Sequence, residues 1–382
     1  MSPKKNNLFH WCQRLLKTSV TVILLVVLSL SLSGAWWNLG SDETPRKSSL
    51  AQGDAITDPT AILRYALPID NQTVRDFQRS VEDISTHLRS KRWSPISRDV
   101  KEASRILSLN ADKLLASIES DRTTEAESII AQMKDQVSQL REAVDAQDQE
   151  AVWTQRRLIL NDLNDLEAMM VKEFPFEVPA EYANLPQLKG RATVAMETEK
   201  GTITIVADGY SAPVNAGNFV DLVQRGFYDG MEIMPSQDFI VQAGDPPGPE
   251  YGFTDPATGE YRAIPLEVLV KGEDEPIYGM TLEAAGLYLA EPAIPFNAYG
   301  AVALARPGND PNGGSSQFFF FKFDTELTPP GFNLMDGRYS VFGYVVDGAD
   351  VIEQLTTGDK IISAKVIDGS DNLVQPQLAQ AN

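Results

Sequence analysis

The sequence predicts a multi-domain chain: an N-terminal all-α helical bundle followed by a closed β-barrel with flanking helices. Three observations carry this reading. Glycine is absent from Asp54 to Lys189, while all but three of the 26 glycines lie from Gly190 onward. Helices disfavour glycine because ordering it loses the most backbone entropy, whereas tight turns need it. Apolar residues recur at helical spacing before that boundary and alternate at strand spacing after it.

Residues 1–37 read as a targeting segment. Lys4, Lys5, Arg14 and Lys17 precede or open an apolar run from Thr18 to Trp37, which contains the small residues Ser33, Gly34 and Ala35. This is the pattern of a signal peptide. The run also approaches bilayer-spanning length, so an uncleaved membrane anchor is the alternative. Both readings export the rest of the chain, because basic flanks stay inside. Residues 38–55 are polar and read as a linker.

Residues 56–175 carry the bundle. A first short helix should start at Asp58-Pro59 and break at Pro68. Four stripes follow: Val74, Phe77, Val81, Ile84 and Leu88; Val100, Ala103, Leu107, Ala111, Leu114 and Ile118; Ala126, Ile129, Met133, Val137, Leu140 and Val144; Val152, Ile159, Leu163, Leu166 and Met170. Each spans only a few turns, which favours an internal core over a partner-binding coiled coil. Thr124 and Glu127 fit a capping box. Trp93 and Trp153 read as core or rim aromatics, and His87 as a polar residue on a helix flank. Pro175 and Pro179 end the bundle, and residues 176–189 form a second linker.

Residues 190–370 carry the barrel, and 371–382 a tail. Thr193–Met196 and Thr202–Val206 alternate around Glu199-Lys200-Gly201, a hairpin pattern. Pro213 opens a helix that Gly226 closes, with Phe219, Leu222 and Val223 facing inward. Strand-like segments return at Phe239–Gln242, Ala301–Ala305, Gln317–Lys322 and Val341–Val346. Between Asp245 and Gly300 runs a long insertion with an acidic stretch, Glu273-Asp274-Glu275, and a helical pattern over Thr281–Leu289. It could fold over a groove or against the bundle.

Composition excludes several kinds of chemistry. The formal charge is −20, and residues 176–382 carry 11 basic against 29 acidic side chains. An acidic half without a basic stripe argues against nucleic acid. Cys12 is the sole cysteine, and His10 and His87 are the only histidines. The C-terminal half therefore has no Ser-His-Asp or Cys-His nucleophile and no histidine-containing metal site. No cofactor is implied.

Several segments, in this order, resemble the cyclophilin domain, which isomerises peptide bonds preceding proline: APVNAGNFVDLVQRGFYDG from Ala212, FIVQAGD from Phe239, SQFFFF from Ser316 and DGRYSVFGYV from Asp336. The similarity covers roughly residues 190–368. It implies a cyclophilin-like barrel and prolyl cis-trans isomerase activity in protein folding. GFYDGMEI, IPFNAYG and LTPPGFNLMDGRYSVFGYV, together with the helical domain, resemble the thylakoid-lumen cyclophilins of plants and cyanobacteria. That subgroup implies photosystem II assembly or maintenance, with photosystem II subunits and a protein phosphatase as partners besides proline-containing polypeptides. It implies the thylakoid lumen, with the periplasm as alternative and membrane contact only through the N-terminal segment.

Rotation about an X-Pro bond crosses about 18–20 kcal/mol, because twisting removes amide resonance. A catalyst must bind the twisted form better than either planar one. An apolar slot for the ring, hydrogen bonds to the flanking backbone and a cationic donor to the proline nitrogen serve that end. By resemblance, Phe239, Ile240, Phe319 and Met335 form the slot. Gln242 and Gln317 meet the peptide backbone, Ala305 lines the rim, and Arg306 and Tyr339 stand where the family has asparagine and histidine. The family arginine aligns with Pro235, within a segment one residue short, so no catalytic residue is assigned. Arg306 is the candidate substitute cation. The alternative function is a non-catalytic proline-peptide chaperone, or a regulatory scaffold controlled by the helical domain.

Overall fold

The computed structural model describes residues 56–256, 258–322 and 333–376. The expected targeting segment, the first linker, residues 327–332 of the LTPPGF motif and the end of the tail lie outside the described residues. Among the described residues, no helix is long and apolar enough to cross a membrane.

Seven helices come first: α1 (Pro59–Ala66), α2 (Gln72–Glu82), α3 (Ile84–Arg89), α4 (Trp93–Leu109), α5 (Ala111–Leu115), α6 (Thr123–Asp145) and α7 (Gln149–Ala168). The stripes of α2–α7 face one another. Val74, Phe77, Val81, Ile84 and Leu88 are fully buried, and Met133, Leu140, Val152, Ile159, Leu163 and Leu166 join them in a single core. The first stripe is divided between α2 and α3 at Asp83, the second between α4 and α5 at Asn110. Trp93 and Trp153 pack on the rim of this core. The expected capping box does not form. Helix α6 starts at Thr123 without a side-chain cap, and the Thr123 hydroxyl donates instead to the Glu119 carbonyl. Thr124 is thereby already inside the helix, where its side chain cannot cap.

The second half is a curled antiparallel sheet of seven strands in the order β10-β2-β3-β9-β7-β8-β4. The strands are β2 (Arg191–Thr198), β3 (Gly201–Asp208), β4 (Ile240–Ala243), β7 (Ala301–Leu304), β8 (Phe318–Phe321), β9 (Val341–Asp347) and β10 (Ile361–Asp368). Segment 231–234 bonds both outer strands. Met234 N–H donates to the Gln242 carbonyl of β4, and Ile361 N–H of β10 donates to the Met231 carbonyl. Those bonds bridge the two edges of the curled sheet, a half-barrel whose edge strands β10 and β4 do not pair with each other directly, in place of the fully closed barrel expected. Helix α8 (Pro213–Gln224) packs against its interior core with Phe219 and Leu222. A short pair, β1 (Gln187–Leu188) with β11 (Leu373–Val374), lies beside α8. Helix α9 (Ala349–Gln354) follows β9. The insertion forms a small hairpin of β5 (Glu267–Val268) and β6 (Ile277–Tyr278), whose exposed turn carries the acidic stretch. The expected helix over 281–289 is a run of turns, interrupted by Gly286 at φ +79°.

Helix α1 joins the two halves. Asp58 caps its N-terminus, accepting from the Thr60 and Ala61 amides. Its Ile62 and Leu63 belong to the outer cluster of the barrel with Phe296, Phe321 and Tyr344, not to the bundle core. Its last carbonyls are held from both sides. Arg75 of α2 donates to the Arg64 and Leu67 carbonyls at 2.8 and 2.7 Å, and Arg191 of β2 donates to the Leu63 carbonyl. Arg191 is itself fixed by the buried Asp208 at 2.6 Å. Cations at a helix C-terminus satisfy orphan carbonyls and oppose the helix dipole.

Behind this junction Glu167 is fully buried. One oxygen lies 3.4 Å from Arg75, and the other has no hydrogen-bond partner among the described residues. Burial pushes its carboxyl up to about 7, against the pull of Arg75. The folded protein thus holds a proton that the unfolded chain releases near its ordinary value of 4.5. Stability from this group is complete below about pH 4.5 and is lost as pH rises through 7, with a ceiling of about 3 kcal/mol. Glu167→Gln is expected to raise the thermal midpoint at pH 8 and to flatten its decline between pH 5 and 8. A variant with the wild-type slope in calorimetry across that range would contradict this assignment.

Candidate functional site

Strand β8 sets the site through its period of two. Phe318 and Phe320 point into the barrel core, while Phe319 and Phe321 point outward. Of the four phenylalanines, the second and fourth therefore share the outer face. Phe319 stacks on Phe296 at 6.0 Å and meets Tyr339 edge-on at 5.5 Å. The register places Gln242 opposite Phe319 and Ile240 opposite Phe321. Phe239 precedes β4, is 45% exposed, and approaches Phe321 edge-on at 6.3 Å.

These residues floor an open depression of about 840 Å³. Pro235, Phe239, Ile240 and Gln242 form one side, and Ala305, Arg306, Gln317 and Phe319 continue it. Met335 and Tyr339 complete the wall from the loop before β9. Every expected site residue thus lines the same hollow. Leu334, next to Met335, is 72% exposed and is not part of the wall.

The two glutamines are preorganised. Gln242 Nε2 donates to Gln317 Oε1 at 2.8 Å, and Gln317 Nε2 donates to Asp245 Oδ1 at 2.8 Å and to the Tyr251 carbonyl at 2.9 Å. Gly244, at φ +97°, lets β4 turn beside the Ser316 carbonyl, 2.4 Å from where a Cβ would lie. The loop bearing Met335 is held by Asp336, which accepts from the Phe296 and Asn333 amides. Burial pushes that carboxyl up to about 6.

The sequence reading missed Tyr251 and Tyr261, which also line the hollow. Both come from the insertion, which starts three residues after Gln242 and so must pass the groove. That adjacency was the available signal. Both placements open for the insertion are partly taken: its first part lines the groove and its end, through Ile294 and Phe296, shares the outer cluster with Ile62 and Leu63 of α1, while β5 between them reaches the N-terminus of α8.

Two family descriptions match this chain. Residues 58–171 match the PsbQ-like domain of CYP38-like peptidyl-prolyl cis-trans isomerases. Residues 193–371 match the cyclophilin-type peptidyl-prolyl cis-trans isomerase domain. A putative thylakoid lumen peptidyl-prolyl cis-trans isomerase of Synechocystis is 64% identical over 363 residues, covering 95% of this chain and 96% of that protein. This chain belongs to the cyclophilin-type peptidyl-prolyl isomerases. The chloroplastic isomerase CYP38 of Arabidopsis thaliana is 42% identical, covering 93% of this chain and 84% of its own. A solved cyclophilin-type isomerase from Cryptosporidium parvum is 19% identical and covers 47% of this chain and 98% of its own, with a TM-score of 0.34.

Within this cyclophilin groove the cation is the anomaly. Pro235, the residue expected at the family arginine position, lines the hollow, and proline offers neither charge nor N–H. Arg306 is the one cation among the described lining residues. Its Nε donates to the Arg338 carbonyl at 3.0 Å and its Nη1 to the Pro307 carbonyl at 2.9 Å. Its guanidinium lies 5.1 Å from the Tyr339 ring centre. Arg306 therefore staples the loops on either side of the wall, and its donors face those loops.

Proposed function

We propose that this cyclophilin holds prolyl segments of exported polypeptides as a folding and assembly factor of the thylakoid lumen, with slow isomerase turnover. Photosystem II subunits are the proposed clients. A protein phosphatase is the other proposed partner. One observation carries the reading: the ring slot and glutamine pair line one hollow, while no uncommitted cation faces it among the described residues. Such a site grips the planar proline as well as the twisted one. Uniform binding of that kind gives affinity without acceleration. The names of the two similar isomerases, lumenal and chloroplastic, support the compartment. Among the described residues, all that line the hollow lie between 235 and 339, and none belongs to the helical part.

The test compares binding with turnover in the full chain. A labelled single-proline peptide should bind, with affinity weakened about tenfold by Met335→Ala, a loss of about 1.4 kcal/mol. Isomerisation of the same peptide, followed by exchange NMR, should stay close to the uncatalysed rate. Acceleration of a hundredfold or more would refute the slow-turnover reading. Absence of proline-dependent binding would end the groove assignment itself.

A further inference from the structure

We propose that the groove takes a polyproline II segment with two prolines three residues apart, the second seated on an aromatic wall built by the insertion. This rests on the reading of the hollow as a proline site. Its volume of about 840 Å³ lies in the upper part of the range of about 300–1,000 Å³ that encloses drug-sized ligands. One proline ring does not fill it.

The surplus wall is made of rings. Tyr251 and Tyr261 line the same hollow as Phe319 and are 81% and 43% exposed. Pro307 and Pro235 also line the hollow and add no N–H donor. Flat rings, beside an arginine whose donors are held by loop carbonyls, suit another apolar ring better than a charged or strongly polar residue. Aromatic-lined grooves bind polyproline II segments because that helix is preformed and loses little entropy on docking. It has three residues per turn, so residues three apart project from the same side.

The wall is rigid. Thr254 and Tyr261 form an antiparallel bridge, and the Arg262 amide donates to the Phe253 carbonyl at 2.9 Å. Phe253 N–H donates to Ser315 Oγ at 3.0 Å, and its ring is buried. The Arg262 guanidinium lies 4.5 Å from that ring's centre and 2.6 Å from Asp221 on α8. The Tyr251 carbonyl is held by Gln317. A Cβ at Gly252 would lie 2.5 Å from the Ser315 Cβ and 3.0 Å from the Tyr261 ring, so the backbone there fits only glycine without displacement. Backbone held in advance loses little further entropy when a ligand arrives.

The experiment measures labelled peptides against the full chain by fluorescence anisotropy, in a soluble Gly/Ala/Ser host. One peptide has no proline, one has one, two have a second proline three residues before or after it, and one has a second proline two residues away. A three-residue spacing on one side should bind about tenfold tighter than the single proline, and the two-residue spacing should not. In Tyr251→Ala/Tyr261→Ala the ratio of two-proline to one-proline affinity should fall below twofold. Tyr251→Phe/Tyr261→Phe should keep it, because the ring face carries the contact. A wild-type ratio below twofold, a ratio indifferent to spacing, or a ratio that survives the alanine variant overturns the proposal while leaving the single-proline site intact. Loss of all proline-dependent binding overturns the underlying reading and this one together.

Discussion

Pro235→Arg is expected to raise prolyl isomerisation by about 10²–10³-fold, the range that one preorganised donor supplies when charge develops on the reacting group. The proline nitrogen becomes basic only as the amide twists, so a cation placed beside it favours the barrier over both planar forms. The backbone is ready for such a side chain. The Met234 amide is pinned to the Gln242 carbonyl at 2.9 Å, which fixes residue 235 at the edge of the hollow. Pro235→Ala is the control. It restores the N–H and the backbone freedom without a charge, and should leave the rate unchanged. Exchange NMR on the single-proline peptide reads all three proteins. If the arginine variant binds peptide but turns over no faster, the missing donor is not what limits the rate.

Glu267→Ala should destabilise the fold by about 3–5 kcal/mol. Helix α8 begins at Ala212 and Pro213, neither of which can cap it. Glu267 arrives from the insertion instead, accepting from the Val214 amide at 3.1 Å and from the Asn215 amide and side chain, each at 2.9 Å. The carboxyl is fully buried, and burial pushes it up to about 7 against those donors. Alanine would leave buried N–H groups without an acceptor, which costs about 1–3 kcal/mol for each group. The Glu267 amide also donates to Ser340 Oγ at 2.7 Å, beside Tyr339 of the groove. Peptide affinity should therefore drop with stability. Glu267→Gln keeps one oxygen acceptor and should lose less than half as much. Chemical denaturation measures both variants, and an alanine variant within about 1 kcal/mol of wild type would show that water replaces the carboxyl.

Much of this was legible from local pattern. The glycine boundary, the stripes of α2–α7, the β2–β3 hairpin and the Pro213–Gly226 helix depend on neighbours within a few residues, and the structure places them where their spacing does. The expected site residues were legible for a different reason: β4 and β8 present alternate side chains to one face, so motif order translates into a shared surface. The capping box at Thr124 failed because one residue of register decides whether a hydroxyl caps or sits inside a helix. The helix over 281–289 failed because Gly286 takes a left-handed turn that periodicity does not register.

The residue order by itself determined a helical bundle and a cyclophilin domain, and gave the residues expected to form a ring slot with paired glutamines, with a proline at the expected place of the family cation. Only the folded chain decided where the Arg306 guanidinium points. Arg306 could have reached into the groove, but the Arg338 carbonyl, 32 residues away, holds it together with the adjacent Pro307 carbonyl, and no local pattern encodes the distant partner. The same holds for Glu267 on α8, for Arg191 on α1 and for the two tyrosines of the insertion. Hydrogen bonds and ring contacts act over a few ångströms of space. The distance along the chain that they bridge is set by topology, and it appears only when the sheet has curled.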